Sequence, residues 1–576
     1  MKKQILLLFL AFISFYSYAQ VTITPFPFEV NESITITVDA NSSATNCNGF
    51  STPSKVYLHT GVGPDTDPWT YTIGNWGQDD GIGEMTPNGD GTWSITFVPE
   101  TYYGLTSAQA STITQMGMVF RNEDGSQEFK DNGCSDFFFN VGAFQVTLTA
   151  PSDNITITSS GSVINVQANA TQTVDFTLKA NGTTIDTQNG ITAYSFSPTV
   201  NNTTTYILEA NNGSETISKT FQVVTTPTVV QEAIPAGMKQ GVNYDAGDAT
   251  KATLVLKAPN KDYIYVSGSF NNYQFDNSYV MKQDVTDTDL YWLEVTGLTS
   301  GQQYTYQYWV IDETPIANSP QLVKTADPYS TLVLSPFDDP GIPSSSFPSL
   351  PSYPTGQERE VTLIQTGQTP YNWTVANFDK PKKEDLVVYE VLIRDFDANR
   401  TFQDLIDRID YFKNLNINAI ELMPIMEYEG NESWGYNTAF HMALDKFYGT
   451  PEKLKELVDL CHQNGIAVIL DIALNHAFGR NPLVRMWMDD ADENGWGGPS
   501  SENPYFNQLP MHAYNVGSDF NHQSTLTQDY VKRVVSHWIE EFKIDGFRWD
   551  LTKGFTQNCG TGTNDGDFGC TNNYQQ

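Results

Sequence analysis

Two short segments of the sequence carry side chains that could act together on a substrate. Residues 546–550 read Gly-Phe-Arg-Trp-Asp. On a β-strand, residues two apart point to the same face, so Arg548 and Asp550 would project together. A guanidinium beside a carboxylate lowers the pKa of the carboxylate, and an oriented, ionised carboxylate can act as a nucleophile. The alternative is a structural ion pair at the end of a strand.

The second segment is residues 471–476, which read Asp-Ile-Ala-Leu-Asn-His. It places a carboxylate, an amide and an imidazole together where a strand gives way to a long loop. His476 could donate hydrogen bonds to a hydroxyl of a substrate. The alternative is that Asp471 and Asn475 cap the loop and that the histidine is satisfied internally.

The elements that must position these segments alternate between strands and helices after residue 385. The strands are near-continuous apolar runs, the first of them interrupted only by Glu390, and the helices show apolar residues at a spacing of three and four. This predicts parallel strands covered by helices, either the first half of an α/β barrel or a doubly wound sheet. In barrels the C-terminal ends of the strands carry the active site. The predicted strands are 386–393, 419–423, 467–470 and 547–551, and the predicted helices are 402–415, 451–465 and 530–542, with a loop-rich insertion at about 477–526.

In this order and spacing, the two segments resemble glycoside hydrolase family 13, the α-amylase family. Residues 471–476 match the D-x-x-x-N-H region on its third strand, and residues 546–550 match the G-x-R-x-D region on its fourth. Three further stretches, 418–424, 434–437 and 445–450, resemble the second-strand region and the segments that follow it. The resemblance covers residues 385–576.

The resemblance implies a retaining mechanism on the α-glucosidic bonds of starch, glycogen, maltodextrin or pullulan. Asp550 would be the nucleophile that forms a covalent glycosyl-enzyme, and Arg548 would keep it ionised. Tyr436 would stack under a sugar ring, although without the motif it reads as a half-buried core tyrosine. The residues that the resemblance assigns to substrate binding are His476, Tyr436, Asp471 and Lys553.

The sequence departs from the family at its end. A retaining glycosidase needs two carboxyl groups about 5–5.5 Å apart. The family's general acid, a Glu, lies on the fifth strand and a further Asp on the seventh, whereas the sequence ends at Gln576. We therefore expect part of a longer protein, a (β/α)8 barrel truncated after strand 4, that does not hydrolyse glycosides as written. The alternatives are a non-catalytic starch-binding protein and a branching or transglycosylating enzyme of the same family.

Calcium is the one ion that the resemblance suggests as a ligand. Many α-amylases bind Ca²⁺ where the third strand meets the insertion, and Asn475 matches one ligand. Many also have a His after the Lys that follows the nucleophile, whereas here Lys553 is followed by Gly554. The acidic stretch 489–493 in the insertion could serve a hard cation or could be a solvated loop. No cofactor is required, and Ca²⁺ is a candidate with Asn475 as ligand.

Three all-β, sandwich-like domains are predicted before the barrel, because short alternating runs are separated by turn residues. Residues 266–273 in the third domain resemble the glucan-binding β-domain of isoamylase type. In the first domain Trp69, Tyr71, Trp76 and Trp93 are either an exposed platform for polysaccharide or core residues. The predicted boundaries are 1–19 for a signal peptide, 20–140 for a β-domain that could bind starch, 141–227 for an immunoglobulin-like sandwich, 228–338 for the glucan-binding-like sandwich, 339–384 for a linker and 385–576 for the partial barrel.

Composition and charge restrict the partners and the compartment. Of 576 residues, 31 are Lys or Arg and 67 are Asp or Glu, a formal net charge of -36. Such a polyanion is a poor partner for nucleic acid or anionic lipid, and it suits a neutral, soluble substrate, which the α-glucan implied by the resemblance would be. Residues 1–19 have the charged, apolar and small-residue regions of a signal peptide, and no other apolar run is long enough to span a membrane. We expect a secreted or cell-surface protein.

Export makes disulfides plausible for the five cysteines of the chain. Cys47 could pair with Cys134, and Cys559 could pair with Cys570, although connectivity does not follow from sequence. Cys461 lies on an apolar helix face, which predicts a buried, unpaired thiol.

Overall fold

A computed structural model describes residues 20–40, 53–131, 134–142, 144–512 and 515–557 of the chain. The chain divides into two compact units, Met1–Thr226 and Pro227–Gln576. The predicted signal peptide, residues 1–19, and Cys47, Cys559 and Cys570 lie outside the described residues. Among the residues that are described, no helix combines the length and apolarity needed to cross a membrane.

The first unit opens with two antiparallel sheets packed around one core. Strand β2 shows why: Ile34, Ile36 and Val38 are buried while the residues between them are partly exposed, which is the period of a strand with one face inward. The sheet orders are β1-β2-β6-β5 and β4-β3-β7-β8, with β9 paired to β7. The elements are β1 Val21–Thr24, β2 Ile34–Asp39, β3 Tyr57–Gly63, β4 Tyr71–Ile73, β5 Thr86–Pro87, β6 Thr92–Phe97, α1 Pro99–Tyr102, α2 Ser107–Ala110, β7 Gln115–Arg121, β8 Glu128–Phe129 and β9 Phe137–Asn140.

The four aromatic residues singled out in this domain have two different environments. Tyr71 and Trp93 pack against the core between the sheets. Trp76 is 46% exposed and Trp69 is partly exposed. The sequence alone could not separate the two pairs, because all four sit among the same polar and glycine residues.

The second part of the first unit is a sheet built on two long strands. Its order is β10-β13-β16-β17-β11, with β14 paired along β13 and a small β12-β15 ribbon beside it. Alternate residues such as Val174, Phe176 and Leu178 fill its core. The immunoglobulin-like assignment stays a prediction. The strands are β10 Val146–Ala150, β11 Ile155–Thr158, β12 Ser162–Val163, β13 Val166–Ala180, β14 Thr183–Phe196, β15 Thr199–Val200, β16 Thr204–Asn211 and β17 Thr216–Thr225.

The second unit begins with a further pair of antiparallel sheets. Their orders are β18-β19-β22-β21 and β20-β23-β26-β25, with β24 paired to β23. The strands are β18 Gly241–Tyr244, β19 Lys251–Lys257, β20 Tyr263–Gly268, β21 Lys282–Gln283, β22 Leu290–Thr296, β23 Gln303–Ile311, β24 Leu322–Thr325, β25 Val333–Leu334 and β26 Val361–Gln365.

Strand β26 corrects the predicted linker at residues 339–384. It lies inside that range, pairs antiparallel with both β23 and β25, and has four of its five residues buried. The Pro- and Ser-rich residues before β26 are typical of a linker. The five residues of β26 are too short a run to indicate a strand in that surrounding sequence. The β-domain therefore extends to residue 365.

The rest of the second unit is a parallel sheet with helices, as the alternation of strands and helices predicts. Its order, β27-β28-β31-β36, follows the chain, which is the arrangement of the first half of an α/β barrel. One continuous core joins this sheet to the preceding β-domain. The elements are β27 Val388–Val391, α3 Ile393–Phe396, α4 Phe402–Asp407, α5 Ile409–Asn414, β28 Ala419–Leu422, β29 Met426–Tyr428, β30 Thr438–Leu444, α6 Pro451–Gln463, β31 Ala467–Ile472, β32 His476–Ala477, α7 Pro482–Arg485, β33 Met488–Asp489, β34 Gly498–Pro499, β35 Ser518–Asp519, α8 Thr525–Phe542 and β36 Gly546–Trp549.

The predicted helix 402–415 is two short helices in the structure. Thr401 and Asp404 form the capping box that their spacing predicts, and α4 ends at Asp407. Arg408 leaves helical geometry, and α5 starts again at Ile409. The apolar periodicity runs across this break, so the periodicity alone reads as one helix.

The cysteines follow the prediction where the structure describes them. Cys134 is disulfide-bonded. Cys461 on α6 is buried and unpaired, as its position on an apolar helix face predicts.

Burial makes Cys461 a thiol that reagents should not reach. Burial raises the pKa of this thiol to about 12, so it is protonated at neutral pH and has little nucleophilic character. We expect the peptide that contains Cys461 to resist alkylation by iodoacetamide in the native protein and to react fully after denaturation, as measured by peptide mass mapping. Rapid alkylation of the native protein would contradict the packing of α6 described here.

Candidate active site

Arg548 is the centre of the site, because its guanidinium bridges two carboxylates. Parallel pairing of β31 and β36 places Asp471 directly beside Arg548. The Nη1 atom of Arg548 lies 3.1 and 3.2 Å from the two carboxylate oxygens of Asp471 and donates to Oδ1 of Asp550 at 2.7 Å. Burial lowers the pKa of Arg548, but its hydrogen bonds to the two carboxylates outweigh burial and raise it above the usual range.

Asp550 stands at the open end of the sheet. Its backbone N–H donates to the carbonyl of Ile472 on β31, which fixes the chain just after β36. Its side chain is 23% exposed, whereas that of Asp471 is fully buried. Leu551, the next residue, has a left-handed backbone (φ 42°), so the chain turns sharply there. Asp550 therefore presents a carboxylate that is oriented from one side and reachable by solvent from another.

Asp471 is held from a second direction by Tyr436. The hydroxyl of Tyr436 donates to Oδ2 of Asp471 at 2.7 Å. Burial raises the pKa of Asp471, with the nearby Asp550 acting in the same direction, while Tyr436 and Arg548 oppose the rise. Tyr436 and Arg548 thus stabilise the ionised form of this buried carboxylate.

A glycine sets the position of Tyr436. Gly435 has a φ of +89°, and a Cβ there would lie 2.5 Å from the carbonyl oxygen of Pro424. A side chain would therefore force apart the loop after β28 and the segment that carries Tyr436. The neighbouring Trp434 is 59% exposed on the same segment.

His476 lies in the site, but both nitrogens of its ring form hydrogen bonds with other groups of the protein. Its Nε2 donates to the carbonyl of Tyr436 at 2.7 Å, and its Nδ1 accepts from the side-chain amide of Asn475, also at 2.7 Å. Burial lowers the pKa of His476, so the ring is neutral. In this structure His476 positions Tyr436, whereas the sequence-based expectation was a direct bond to substrate. These contacts make His476 a positioning group, and its proposed bond to a substrate hydroxyl stays a prediction.

The side chain of Asn475 offers one oxygen that a calcium ion could bind. Its Oδ1 is buried with no hydrogen-bond partner among the described residues, which is the kind of oxygen a hard cation takes. Ca²⁺ needs six to eight oxygens, and Asn475 supplies one of them. Asp490 in the insertion accepts backbone N–H groups from its own loop. These contacts do not complete a calcium site, and calcium binding through Asn475 stays a prediction.

Lys553 and Gly554 follow Asp550 in a short 3-10 turn, Thr552–Phe555. Lys553 is exposed on this turn, and Gly554 is buried against Asn475, where a Cβ would lie 2.5 Å from that residue's own Cβ. Gly554 therefore lets the turn approach Asn475. The assignment of Lys553 to substrate binding stays a prediction.

Two acidic residues in the site were missed by the sequence analysis. Glu390 and Glu421 face each other on β27 and β28, and carboxylate oxygens of both lie within 4.8 Å of one on Asp471. Burial raises the pKa of Glu421, and Asp471 and Glu390 raise it further, while Arg548 opposes the rise. The available signal was a single acidic residue inside each of two otherwise apolar strands.

The comparisons with known proteins fit this geometry. Residues 394–481 match the model of the alpha amylase catalytic domain. This part of the chain is similar to the catalytic domain of the α-amylase family. Residues 21–129 match a domain family of unknown function, DUF8578.

Curated proteins that the chain matches include three enzymes. Malto-oligosyltrehalose trehalohydrolase of Saccharolobus solfataricus is 32% identical over 190 residues, 33% of this chain and 31% of that protein. Alpha-amylase 3 of Dictyoglomus thermophilum is 30% identical over 201 residues, 31% of this chain and 39% of that protein. The 1,4-alpha-glucan branching enzyme of Chlamydia muridarum is 27% identical over 323 residues, 53% of this chain and 37% of that protein.

The alignments cover only part of each relative. The chain spans about a third of the length of the curated relatives it matches. The alignment with the branching enzyme takes in 53% of this chain, more than residues 385–576 contain, so it also includes part of the preceding β-domain.

Arg548→Met tests the carboxylate bridge. Removal of the guanidinium leaves the buried Asp471 without its charged partner, and because Arg548 is 43% exposed we expect a loss of about 1–3 kcal/mol in the free energy of unfolding at pH 7. The loss should shrink as the pH falls through the range where the carboxylic acids protonate, since a neutral Asp471 needs no counter-charge. Chemical denaturation at pH 7 and pH 4.5 measures this difference. The matched control is Arg400→Met, which removes an exposed ion pair with Glu432; an equal loss at both pH values would contradict the bridge.

Glu421→Gln should have the opposite effect. A carboxyl whose pKa is raised by folding binds its proton more tightly in the folded than in the unfolded state, so stability falls as the pH rises above the usual range of a glutamic acid. The amide removes that repulsion. We expect a gain of up to about 1 kcal/mol at pH 7 that fades at pH 4, measured by the same unfolding experiment. A loss of stability at pH 7 would show that ionised Glu421 is a favourable partner of Arg548.

Proposed function

We propose that this chain provides the nucleophile and its supporting residues for an exported glycoside hydrolase that acts on α-glucans with retention of configuration. The observation that carries the proposal is the position of Asp550. Its carboxylate is partly exposed at the C-terminal edge of a parallel sheet and is held at 2.7 Å by Arg548. That edge is where α/β barrels place catalytic groups.

The proposed chemistry begins at Asp550. With Oδ1 bound by Arg548, Oδ2 is directed to attack the anomeric carbon of a bound sugar. The carbon–oxygen bond to the leaving group breaks with its electron pair while the leaving oxygen takes a proton from a general acid, and an ester forms between Asp550 and the sugar. Water then attacks the same carbon and gives its proton to the conjugate base of that acid, which releases the sugar and restores the carboxylate. The family resemblance assigns the acid to a Glu on a fifth strand.

The other residues of the site act by holding this arrangement. Asp471 fixes the guanidinium from the buried side, so that Arg548 keeps its orientation while the charge on Asp550 changes. Tyr436 is anchored through its hydroxyl to Asp471 and through its carbonyl to His476, and its ring can serve as an apolar platform for a pyranose. These contacts supply the rigid positioning that a nucleophile requires.

The proposed substrate class has two sources of support. The names of the matched relatives include an α-amylase, a trehalohydrolase of malto-oligosyltrehalose and an α-glucan branching enzyme. The net charge of -36 also favours a neutral polymer over an anionic one. We therefore propose an α-glucan, with hydrolysis and transfer to be distinguished by analysis of the products.

Export is proposed from two features of the N-terminal region. Residues 1–19 carry the pattern of a cleavable signal peptide. The disulfide at Cys134 favours an oxidising compartment, where such bonds persist. Secretion into the medium and retention at the cell surface are both compatible with this proposal.

The nucleophile can be tested with a substrate that needs no acid. In 5-fluoro-α-D-glucosyl fluoride, fluoride leaves without protonation, and the 5-fluoro group slows both formation and hydrolysis of the ester, so the glycosyl-enzyme accumulates. We expect the native chain to acquire one glucosyl ester on the peptide that contains Asp550, detected by mass spectrometry. The Asp550→Asn variant should acquire none.

The control variant for this labelling is Asp410→Asn. Asp410 is an exposed residue of α5 whose only described ion pair is with Lys413, so its labelling should equal that of the native chain. A label on another residue, an equal label in Asp550→Asn, or no label in the native chain would each overturn the proposed role of Asp550.

A further inference from the structure

The first β-domain carries an aromatic surface to which the proposed chemistry assigns no part. It consists of Trp69, His59, Trp76 and Phe138, and we call it the aromatic platform. Trp76 and Phe138 are each 46% exposed. Large aromatic side chains exposed together in one place are unusual on a soluble domain and mark a binding surface.

Two glycines make room for the platform. Gly61 on β3 lies directly opposite Gly117 on β7. A Cβ at Gly61 would lie 2.8 Å from the ring of Trp69, and a Cβ at Gly117 would lie 3.0 Å from the rings of both Trp69 and Phe138. The bare backbone at this pair therefore lets the indole of Trp69 lie flat on the sheet beside Phe138.

The platform is bent and not flat. The ring of His59 stacks on Trp69 with an interplanar angle of 25°, and it meets Trp76 edge-on at 86°, with ring centroids 5.6 Å apart in both contacts. The two indole planes are therefore steeply inclined to each other. Burial lowers the pKa of His59, so this connecting ring is neutral at physiological pH.

A buried arginine fixes the loop that holds Trp76. Arg121 is 1% exposed, and its Nη2 donates to the carbonyls of Asn75 and Gln78 on either side of Trp76, at 2.6 and 2.8 Å. Its Nη1 donates to the carbonyls of Asn122 and Glu123 in the neighbouring hairpin. Trp76 is therefore exposed on a loop that is already ordered in the free protein. Ligand binding does not incur the entropic cost of ordering that loop.

The chemistry of this surface selects the class of ligand. Aromatic faces offer an apolar platform to the C–H faces of a pyranose. Asp136 lies close enough for its charge to act on His59. The net charge of -36 disfavours an anionic polymer.

We infer that the aromatic platform, which belongs to the first unit, is a carbohydrate-binding site for an α-glucan chain. Trp76 stacks on a sugar ring, while Trp69, packed between the sheet and His59, holds the connecting ring of His59 in place. The site would hold the enzyme on its polymer. The choice of an α-glucan among neutral polysaccharides rests on the proposed function, which the experiment below tests separately.

Affinity electrophoresis of the full chain in gels with and without amylopectin tests this inference. Amylopectin should retard the native chain. Trp76→Ala should raise the apparent Kd at least about 10-fold, because the sugar that stacks on the indole of Trp76 loses that contact. Trp76→Phe should restore part of it. Because Trp76 is exposed, the thermal unfolding temperature should not change. Phe26→Ala, which removes another exposed aromatic residue of the same unit, is the matched control and should bind as the native chain does.

Several outcomes would overturn the inference. They are no retardation of the native chain, retardation that Trp76→Ala leaves unchanged, and equal retardation by hydroxyethyl cellulose. Labelling of Asp550 by the glucosyl fluoride is measured on the same variants. Loss of retardation with intact labelling supports a separate site, whereas retardation without labelling supports the platform and contradicts the proposed hydrolase.

Discussion

The site depends on one guanidinium shared between two carboxylates on neighbouring strands. Arg548 binds Asp471, which is buried on β31, and Asp550, which follows β36 and is open to solvent. The buried carboxylate anchors the arginine, and the arginine orients the exposed carboxylate. Parallel pairing of the two strands sets this geometry, because it places Asp471 and Arg548 side by side. Any change that shifts β36 against β31 by one residue would move Arg548 to the other face of the sheet.

Much of this arrangement could be predicted from the sequence, because it depends on local periodicity. Residues two apart on a strand share a face, so Arg548 and Asp550 were expected to act together, and Asp471 was expected at the same edge. The parallel order of the four strands also followed from the alternation of apolar strands and helices. These features depend on neighbours in the chain or on regular elements, which a single sequence records well.

Other features depend on contacts that no local pattern records. His476 donates a hydrogen bond to the carbonyl of Tyr436, which is forty residues away in the chain. This contact is visible only in the three-dimensional structure. The acidic pair Glu390 and Glu421 becomes a cluster only when β27 and β28 pair. Strand β26 was hidden by the composition of its surroundings. In the first domain, the opposed glycines Gly61 and Gly117 explain why Trp69 lies against the outer face of the sheet, whereas Trp93 packs against the core.

The most direct test of the central claim is a crystal structure of the chain trapped with the 5-fluoroglucosyl group. The account predicts an ester between the sugar and one oxygen of Asp550, with Nη1 of Arg548 within hydrogen-bond distance of both Asp550 and Asp471, and with the ring of Tyr436 facing the sugar. A sugar attached elsewhere, or an Arg548 that has left Asp471 and points away from Asp550, would contradict it.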